Sequence, residues 1–380
     1  MLSDISRFIY FDHNATTPVD ERVLETMLPF FRENFGNAAS ITYGLGLKAK
    51  HSVDTAREQI AGLLNCTTQE ISFTSGATEA LNTAIKGIFW RYQVKGKHFI
   101  CLPTEHKAVL DTLKWIATQG AEVTYLKVDE TGIIDLEELQ SSIRPDTVAV
   151  MTMLANNETG VIQPIRKIAD IVHEKNAILI CDATQAIGKI NVDVQKSGID
   201  VLALSAHKFY GPKGVGALYL RRRNPRVTIE PLFHGGGHER GNRSGTLNVP
   251  GIVGLGKAAE LAPEFISDYQ QKILPIRRFI ETEIVKDNFA EIHAKEAEKL
   301  PNTVNAQLYH IKAETVIKKI QHCVGISTGS ACSSADPKPS HVLLAMGFSP
   351  EQAHHSIRIS LGVKNTIEEA REFLRLLRDI

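Results

Sequence analysis

From about residue 55 to residue 220 the chain alternates short apolar runs with stretches of helical periodicity, and few architectures accept such a pattern. "EISFTSGATEALNTAIKGIFW" reads as a strand, a small-residue turn and a helix, and "KHFICLPTEHKAVLDTLKWIAT" repeats the arrangement. "AEVTYLKVDETGIIDLEELQSSI" supplies a strand and then a helix with Asp135 as its N-cap and Glu138 in the capping-box position. "TVAVMTMLANNETG" is a strand with a polar end, "IRKIADIVHEKNAILICDATQAIG" a helix feeding a strand, and "IDVLALSAHKFYGPKGVGALYLRR" two strands joined by a polar, glycine-containing loop. This alternation predicts an α/β fold whose mostly parallel sheet has helices on both faces. Past about residue 260 the pattern changes to amphipathic helices, "KILPIRRFIETEIV" and "AETVIKKIQHC", with short strands such as "NTVNAQL" and "SIRISLG". The expected division is a large domain over residues 17–260 and a smaller α+β domain built from residues 1–16 and 261–380.

Charge and cysteine usage limit the functional classes. Lys plus Arg and Asp plus Glu number 43 each in 380 residues, so no basic excess exists to hold nucleic acid or an anionic membrane. No apolar stretch reaches spanning length, and "MLSDISRFIYFDHNATTP" lacks the features of a targeting segment. The five cysteines, at 66, 101, 181, 323 and 332, are odd in number and never spaced C-x-x-C. Free thiols in a reducing cytoplasm are therefore expected. Four of them read as core or structural, Cys181 above all because it lies inside an apolar strand. Cys332 differs, since "TGSACSSADPKPSH" is a run of small residues and reads as an exposed loop. The histidines of "GGGHERG" and the pair His354 and His355 have no ordered ligand spacing, so no metal is expected.

Ligands of parallel sheets sit beyond the carboxyl ends of the strands. Five polar clusters fall there: Thr74 to Glu79, Thr104 to Lys107, Asn156 to Glu158, Asp182 to Gln185, and Ser205 to Lys208. Lys208 directly follows the apolar run "VLALSA", where partial desolvation would lower its pKa and free the amine for Schiff-base chemistry. Asp182 ends an otherwise apolar strand; it suits either a helix cap or the partner of a protonated ring nitrogen. "TSGATEA" offers free amides at a helix start, with the Thr74, Ser75 and Thr78 hydroxyls nearby, as a phosphate cradle. Lysine, acid and cradle on one rim describe a site for pyridoxal phosphate.

With these residues in place, the chain resembles the cysteine desulfurases, fold-type I pyridoxal phosphate enzymes of the class-V aminotransferase family. The similar segments include "ATTPVD", "FTSGATEALN", "TEHKAVLDT", "NNETGVIQPI", "DATQAIGK", "SAHKFYGPKGVGALY", "HGGGHERGNRSGT", "STGSACSSADPKPSHVLLAMG" and "SIRISLG". The long cysteine loop resembles the first class of that family. The resemblance implies a seven-stranded, mostly parallel sheet in the large domain, with the cysteine loop on the small one. It also implies that Lys208 holds the cofactor and later moves the substrate's α-proton, and that Asp182 keeps the pyridine nitrogen protonated. His106 would stack on the ring and assist proton transfers, Gln185 would hydrogen-bond the ring hydroxyl, and Asn157 would lie near cofactor and substrate. Ala77, Thr78, Ser205 and His207 would bind the phosphate, with Thr246 reaching across from the other subunit of a homodimer. Arg358 would grip the substrate carboxylate with its planar fork.

The implied reaction converts L-cysteine to L-alanine and leaves the sulfur on Cys332 as a persulfide. The attacking group must be the thiolate, and His106 is the expected proton acceptor. The persulfide would go to an iron–sulfur scaffold or another thiol acceptor. Many cluster-assembly members carry a scaffold-docking tail past the last helix, whereas this chain stops at "FLRLLRDI". Asn14 in "FDHN" stands where relatives often have another residue, and no role is assigned to it. Two other readings stay open: a different pyridoxal phosphate enzyme, such as an aminotransferase or a selenocysteine lyase, and a non-catalytic relative. The Cys332 loop counts against an aminotransferase, and the intact set of Lys208, His106 and Cys332 against a non-catalytic relative.

Overall fold

The computed structural model describes residues 8–328 and 338–380. A short strand, β1 (Ile9–Tyr10), opens the described chain. Seven strands then form the largest sheet among the described residues: β2 (Ile71–Thr74), β3 (His98–Cys101), β4 (Glu122–Tyr125), β5 (Thr147–Met153), β6 (Ile178–Asp182), β7 (Val201–Ser205) and β8 (Gly216–Leu220). Their order is β2-β8-β7-β6-β5-β3-β4. Pairing is parallel from β4 through β7, and β8 runs antiparallel to both neighbours, β7 and β2. The α/β class with a mostly parallel sheet, expected from the alternation, is the architecture observed.

Strands β5 to β8 read as nearly unbroken apolar runs because both faces of the sheet are covered there, whereas edge strand β4 (EVTY) is not buried. Val150, Leu179, Cys181, Leu202 and Leu204 point into one core, closed by the helices Gly44–Leu64, Ile165–Glu174 and Val249–Asp268. Met151, Ile178, Ile180, Val201 and Ala203 point into another, closed by the helices Ala77–Arg91 and Lys107–Thr118. Each buried branched side chain contributes about 2 kcal/mol. One local expectation fails. Asp135 caps the helix Leu136–Ser142 by accepting from the amides of Glu137 and Glu138. Glu138 does not complete a capping box; its Oε2 accepts from the Lys127 amide at 2.7 Å, so it serves the chain leaving edge strand β4.

The rest of the chain adds β9 (Ala290–Ile292), β10 (Thr303–Leu308), β11 (Val324–Gly325) and β12 (Ser356–Ser360). These give an antiparallel sheet of order β12-β10-β9 and a parallel β1-β11 pair. A separate core lies here, with Phe11, Ile280, Val304, Ile357, Ile359 and Phe373 at its centre. The helix Val249–Asp268 belongs to both cores: Leu255 and Ala258 pack in the first and Phe265 in the second. Cys101 and Cys181 are buried, Cys66 is half-buried, and Cys323 is exposed. The core reading of Cys323 is thus overturned, because the helix Ala313–Ile320 has already ended and its apolar face is completed by Val316 and Ile320. Among the described residues no helix is long and apolar enough to cross a membrane.

Candidate active site

The carboxyl ends of the parallel strands open into a cavity of 570 Å³. Of the residues singled out in the sequence, Ala77, Thr78, His106, Asn157, Asp182, Gln185, Ser205, His207, Lys208 and Arg358 all line it. Thr246 is exposed and does not line this cavity. Cys332 lies outside the described residues. On either side of its segment, Thr328 and Lys338 line one small pocket. Just beyond, Ser340 Oγ donates to Glu158 Oε2 at 2.5 Å, and a ring nitrogen of His341 lies 2.9 Å from the Glu105 carbonyl oxygen.

One end of the cavity suits an anion. Gly76, at φ 153°, turns β2 into the helix Ala77–Arg91, whose first amides have no side-chain cap. A Cβ on Gly76 would stand 3.5 Å from Ser205 Oγ, inside the cradle. The amides of Ala77 and Thr78, the Ser205 hydroxyl at the end of β7 and the cationic Lys213 therefore face one space. His207 lies beside them, with Nδ1 3.1 Å from Thr16 Oγ1. Burial, with the nearby Lys208, Lys213 and Lys189, pushes its pKa down to about 4, so it meets an anion as a neutral ring.

The opposite wall carries acid and base groups. Asp182 ends β6 and is 7% exposed, with its Oδ1 accepting from the Thr184 amide at 2.9 Å. Glu105 behind it is fully buried; burial and the neighbouring Asp182 hold its carboxyl well above the usual range. His106 is the N-cap of the helix Lys107–Thr118, and its Nδ1 accepts from the Ala108 amide at 3.1 Å. The neutral ring accordingly carries its hydrogen on Nε2. Burial lowers its pKa; Asp182 pulls the other way, and Lys208 and His341 add to the depression.

Lys208 closes the short turn Ala206–Lys208 after β7, and its Nζ donates to the main-chain oxygens of Asn14 at 2.5 Å and Ala15 at 2.8 Å. Arg358, on β12, is 2% exposed. Its Nη1 donates to the Asn157 carbonyl at 3.0 Å and its Nη2 pairs with Asp12 at 2.7 Å. The guanidinium thus stands at the cavity wall even though Ile357 and Ile359 beside it belong to the core. This is the side-chain alternation expected of that strand.

Several lining residues were not assigned from the sequence. Asn14, 1% exposed, is the chief one. Its Nδ2 donates to Thr303 Oγ1 at 2.9 Å and to the Asn157 carbonyl at 3.2 Å, its Oδ1 accepts from Asn302, and its amide donates to Ser360 Oγ. Thr184 also lines the cavity, and its buried Oγ1 has no hydrogen-bond partner among the described residues. The arrangement fits pyridoxal phosphate: an uncapped helix start with hydroxyls for the phosphate, a carboxylate for a ring nitrogen, an unpartnered hydroxyl on the wall, and a lysine amine between them.

Comparison with known proteins agrees. The family model described as aminotransferase class-V matches residues 9–373. A cysteine desulfurase IscS of Anaeromyxobacter sp. (strain Fw109-5) is 47% identical over 370 residues, 97% of this chain and 91% of that protein. One from Neisseria meningitidis serogroup C / serotype 2a is 46% identical with the same coverage. Among solved structures, a NifS-like protein superposes with a TM-score of 0.91 at 40% identity, covering 98% of each chain. The structure titled "SspA in complex with cysteine" gives 0.82 at 36% identity, over 93% of this chain and 99% of that one.

Proposed function

This chain belongs to the aminotransferase class-V family and within it to the cysteine desulfurases, and from that premise we propose how its own residues turn L-cysteine into L-alanine and a transferable sulfur. The observation that carries the reading is the convergence of Lys208, Asp182, the uncapped start of the helix Ala77–Arg91 and Arg358 on one cavity. Pyridoxal 5'-phosphate, bound there, supplies an electron sink for the charge left when the substrate loses its α-proton.

Ala77, Thr78, Ser205 and His207 would hold the phosphate, Asp182 would meet the ring nitrogen, and Gln185 would meet the ring oxygen. Lys208 would hold the cofactor, and its amine stands where it could move the substrate's α-proton. Arg358 receives the substrate carboxylate in a bidentate grip beside Asn157. His106, neutral and protonated on Nε2, would lie against the ring and exchange protons with the reacting groups. Cys332 takes the sulfur as a persulfide and hands it to a thiol acceptor, an iron–sulfur scaffold being the first candidate. The enzyme works as a homodimer in which Thr246 completes the partner's phosphate site; its exposure outside its own cavity supports this. A cytoplasmic location suits the free thiols. The separate cores support a division into residues 17–260 and residues 1–16 with 261–380.

The test is the visible spectrum of the purified protein, followed by sulfide and alanine assays with L-cysteine and a reductant. A yellow protein releasing both is expected; a colourless one, or a coloured one making no sulfide, defeats the reading. Cys332→Ala should keep the colour and lose sulfide release, whereas Lys208→Ala should lose the bound chromophore's resting spectrum and turnover together.

A further inference from the structure

Lys189 is completely buried, and the reaction proposed above makes no use of it. A lysine withdrawn from water loses strongly favourable hydration unless something replaces it. Both of its hydrogen bonds go to one residue four positions earlier: Nζ donates to the main-chain oxygen of Gln185 at 3.0 Å and to Gln185 Oε1 at 3.0 Å. On the other side of the same carboxamide, Gln185 Nε2 donates to the Asn14 main-chain oxygen at 2.9 Å. A primary amide can be turned by half a revolution with little change of shape, exchanging donor and acceptor. Here two neighbours forbid the exchange. Lys189 has only hydrogens to offer and therefore demands the oxygen, while the Asn14 carbonyl has only lone pairs and demands the nitrogen. Gln185 lines the cavity, and its NH₂ has a second hydrogen beyond the one given to Asn14.

We propose that Lys189 is a positioning residue that locks the Gln185 carboxamide with its donor face, not its acceptor face, toward the cofactor's ring oxygen. The inference rests on the pyridoxal phosphate reading above. A donor held there stabilises negative charge on that oxygen, and an acceptor would oppose it. The other charged or titratable groups set around Lys189 are Lys208, Arg358, His13 and His207. Burial, then Lys208 and Arg358, holds the lysine well below its ordinary pKa. Only the ammonium form offers hydrogens alone; a neutral amine would add a lone pair, whereas the Asn14 carbonyl demands the Gln185 nitrogen in either state.

The test uses the holoenzyme without substrate and reads the pH midpoint of the protein-bound cofactor's visible absorbance change. Lys189→Met removes the lock at similar length, and the midpoint should rise by about one pH unit, the size of one hydrogen bond to a charged group. Loss of a nearby positive charge alone would also raise it, so the decisive measurement is the cycle with Gln185→Leu. In the Gln185→Leu background the Lys189→Met substitution should shift the midpoint little. A full, additive shift in that background, or no shift in Lys189→Met alone, overturns the proposal. If Lys189→Met does not fold, Gln185→Glu serves: its carboxylate presents only acceptors to the ring oxygen and should raise the midpoint, and an unchanged midpoint again overturns it. Failure of the cofactor reading looks different, since the wild-type protein would then show no visible band to titrate.

Discussion

Buried imidazoles make the folded chain sensitive to acid. His13 and His293 are 5% and 3% exposed, and burial pushes their pKa down to about 3 and about 4. Unfolded, each titrates near pH 6.5. As pH falls through that value the unfolded chain takes up protons that the folded chain refuses, so stability drops until the folded pKa is reached. His293 sits away from the cavity with Nε2 3.0 Å from Ser356 Oγ. His293→Gln is expected to flatten the loss of stability between pH 6.5 and 4 by up to about 1.4 kcal/mol per pH unit, measured by urea unfolding across that range. An acid limb of unchanged slope would contradict this. Residues differ in how openly the sequence announces them. Lys208 and Asp182 stand out because each puts a charge where an apolar run stops. Asn14 has no such mark: its partners Asn302, Thr303 and Ser360 lie 288, 289 and 346 residues away, and only the fold brings them together. Lys189 in "AIGKI" passes for a surface lysine, and nothing local says that it is enclosed.

At the level of elements, the glycine-rich segment before Thr246 is held by a buried ion pair. Glu239 and Arg240 both adopt the left-handed region, at φ 51° and 57°, a conformation that costs non-glycine residues about 1–2 kcal/mol each. Arg57, on the helix Gly44–Leu64, grips Glu239 through two nitrogens at 2.7 and 2.8 Å, and the Phe73 amide on β2 donates to the same carboxylate at 2.8 Å. Glu239→Ala leaves the guanidinium buried without its anion and is expected to cost about 3–5 kcal/mol in chemical denaturation. Replacing both partners, Arg57→Met with Glu239→Leu, should be less damaging than Glu239→Ala alone. If the single and double variants unfold alike, the ion pair is not what holds the segment. Elements were legible where periodicity is strong, as in the strands β5 to β7 and the helices between them. The Glu138 expectation failed because a capping-box spacing is a local pattern, while the Lys127 amide that claims its carboxylate is eleven residues away.

Taken whole, the molecule exposes several large apolar side chains close together in sequence. Phe31, Phe35 and Ile41 are 62%, 68% and 67% exposed, all within one stretch of sequence. Such a surface suits burial against a second copy. If Thr246 serves the neighbouring site, two defective chains can repair one another. Mixed dimers of a Lys208→Ala chain and a Thr246→Ala chain contain one site with both residues intact and one with neither. Random mixing should therefore recover about a quarter of wild-type sulfide release, and recovery no greater than the sum of the separate variants would place Thr246 in its own chain's site. The connections of Asn14 carry a consequence for the order of assembly. Synthesis delivers this asparagine 346 residues ahead of its hydrogen-bond partner on β12, Ser360. The seven-stranded sheet can condense during synthesis, but the rim around Lys208 stays unfinished until β12 has emerged. A chain cut before β12 therefore keeps Lys208 but lacks Arg358, and with it one wall of the cavity.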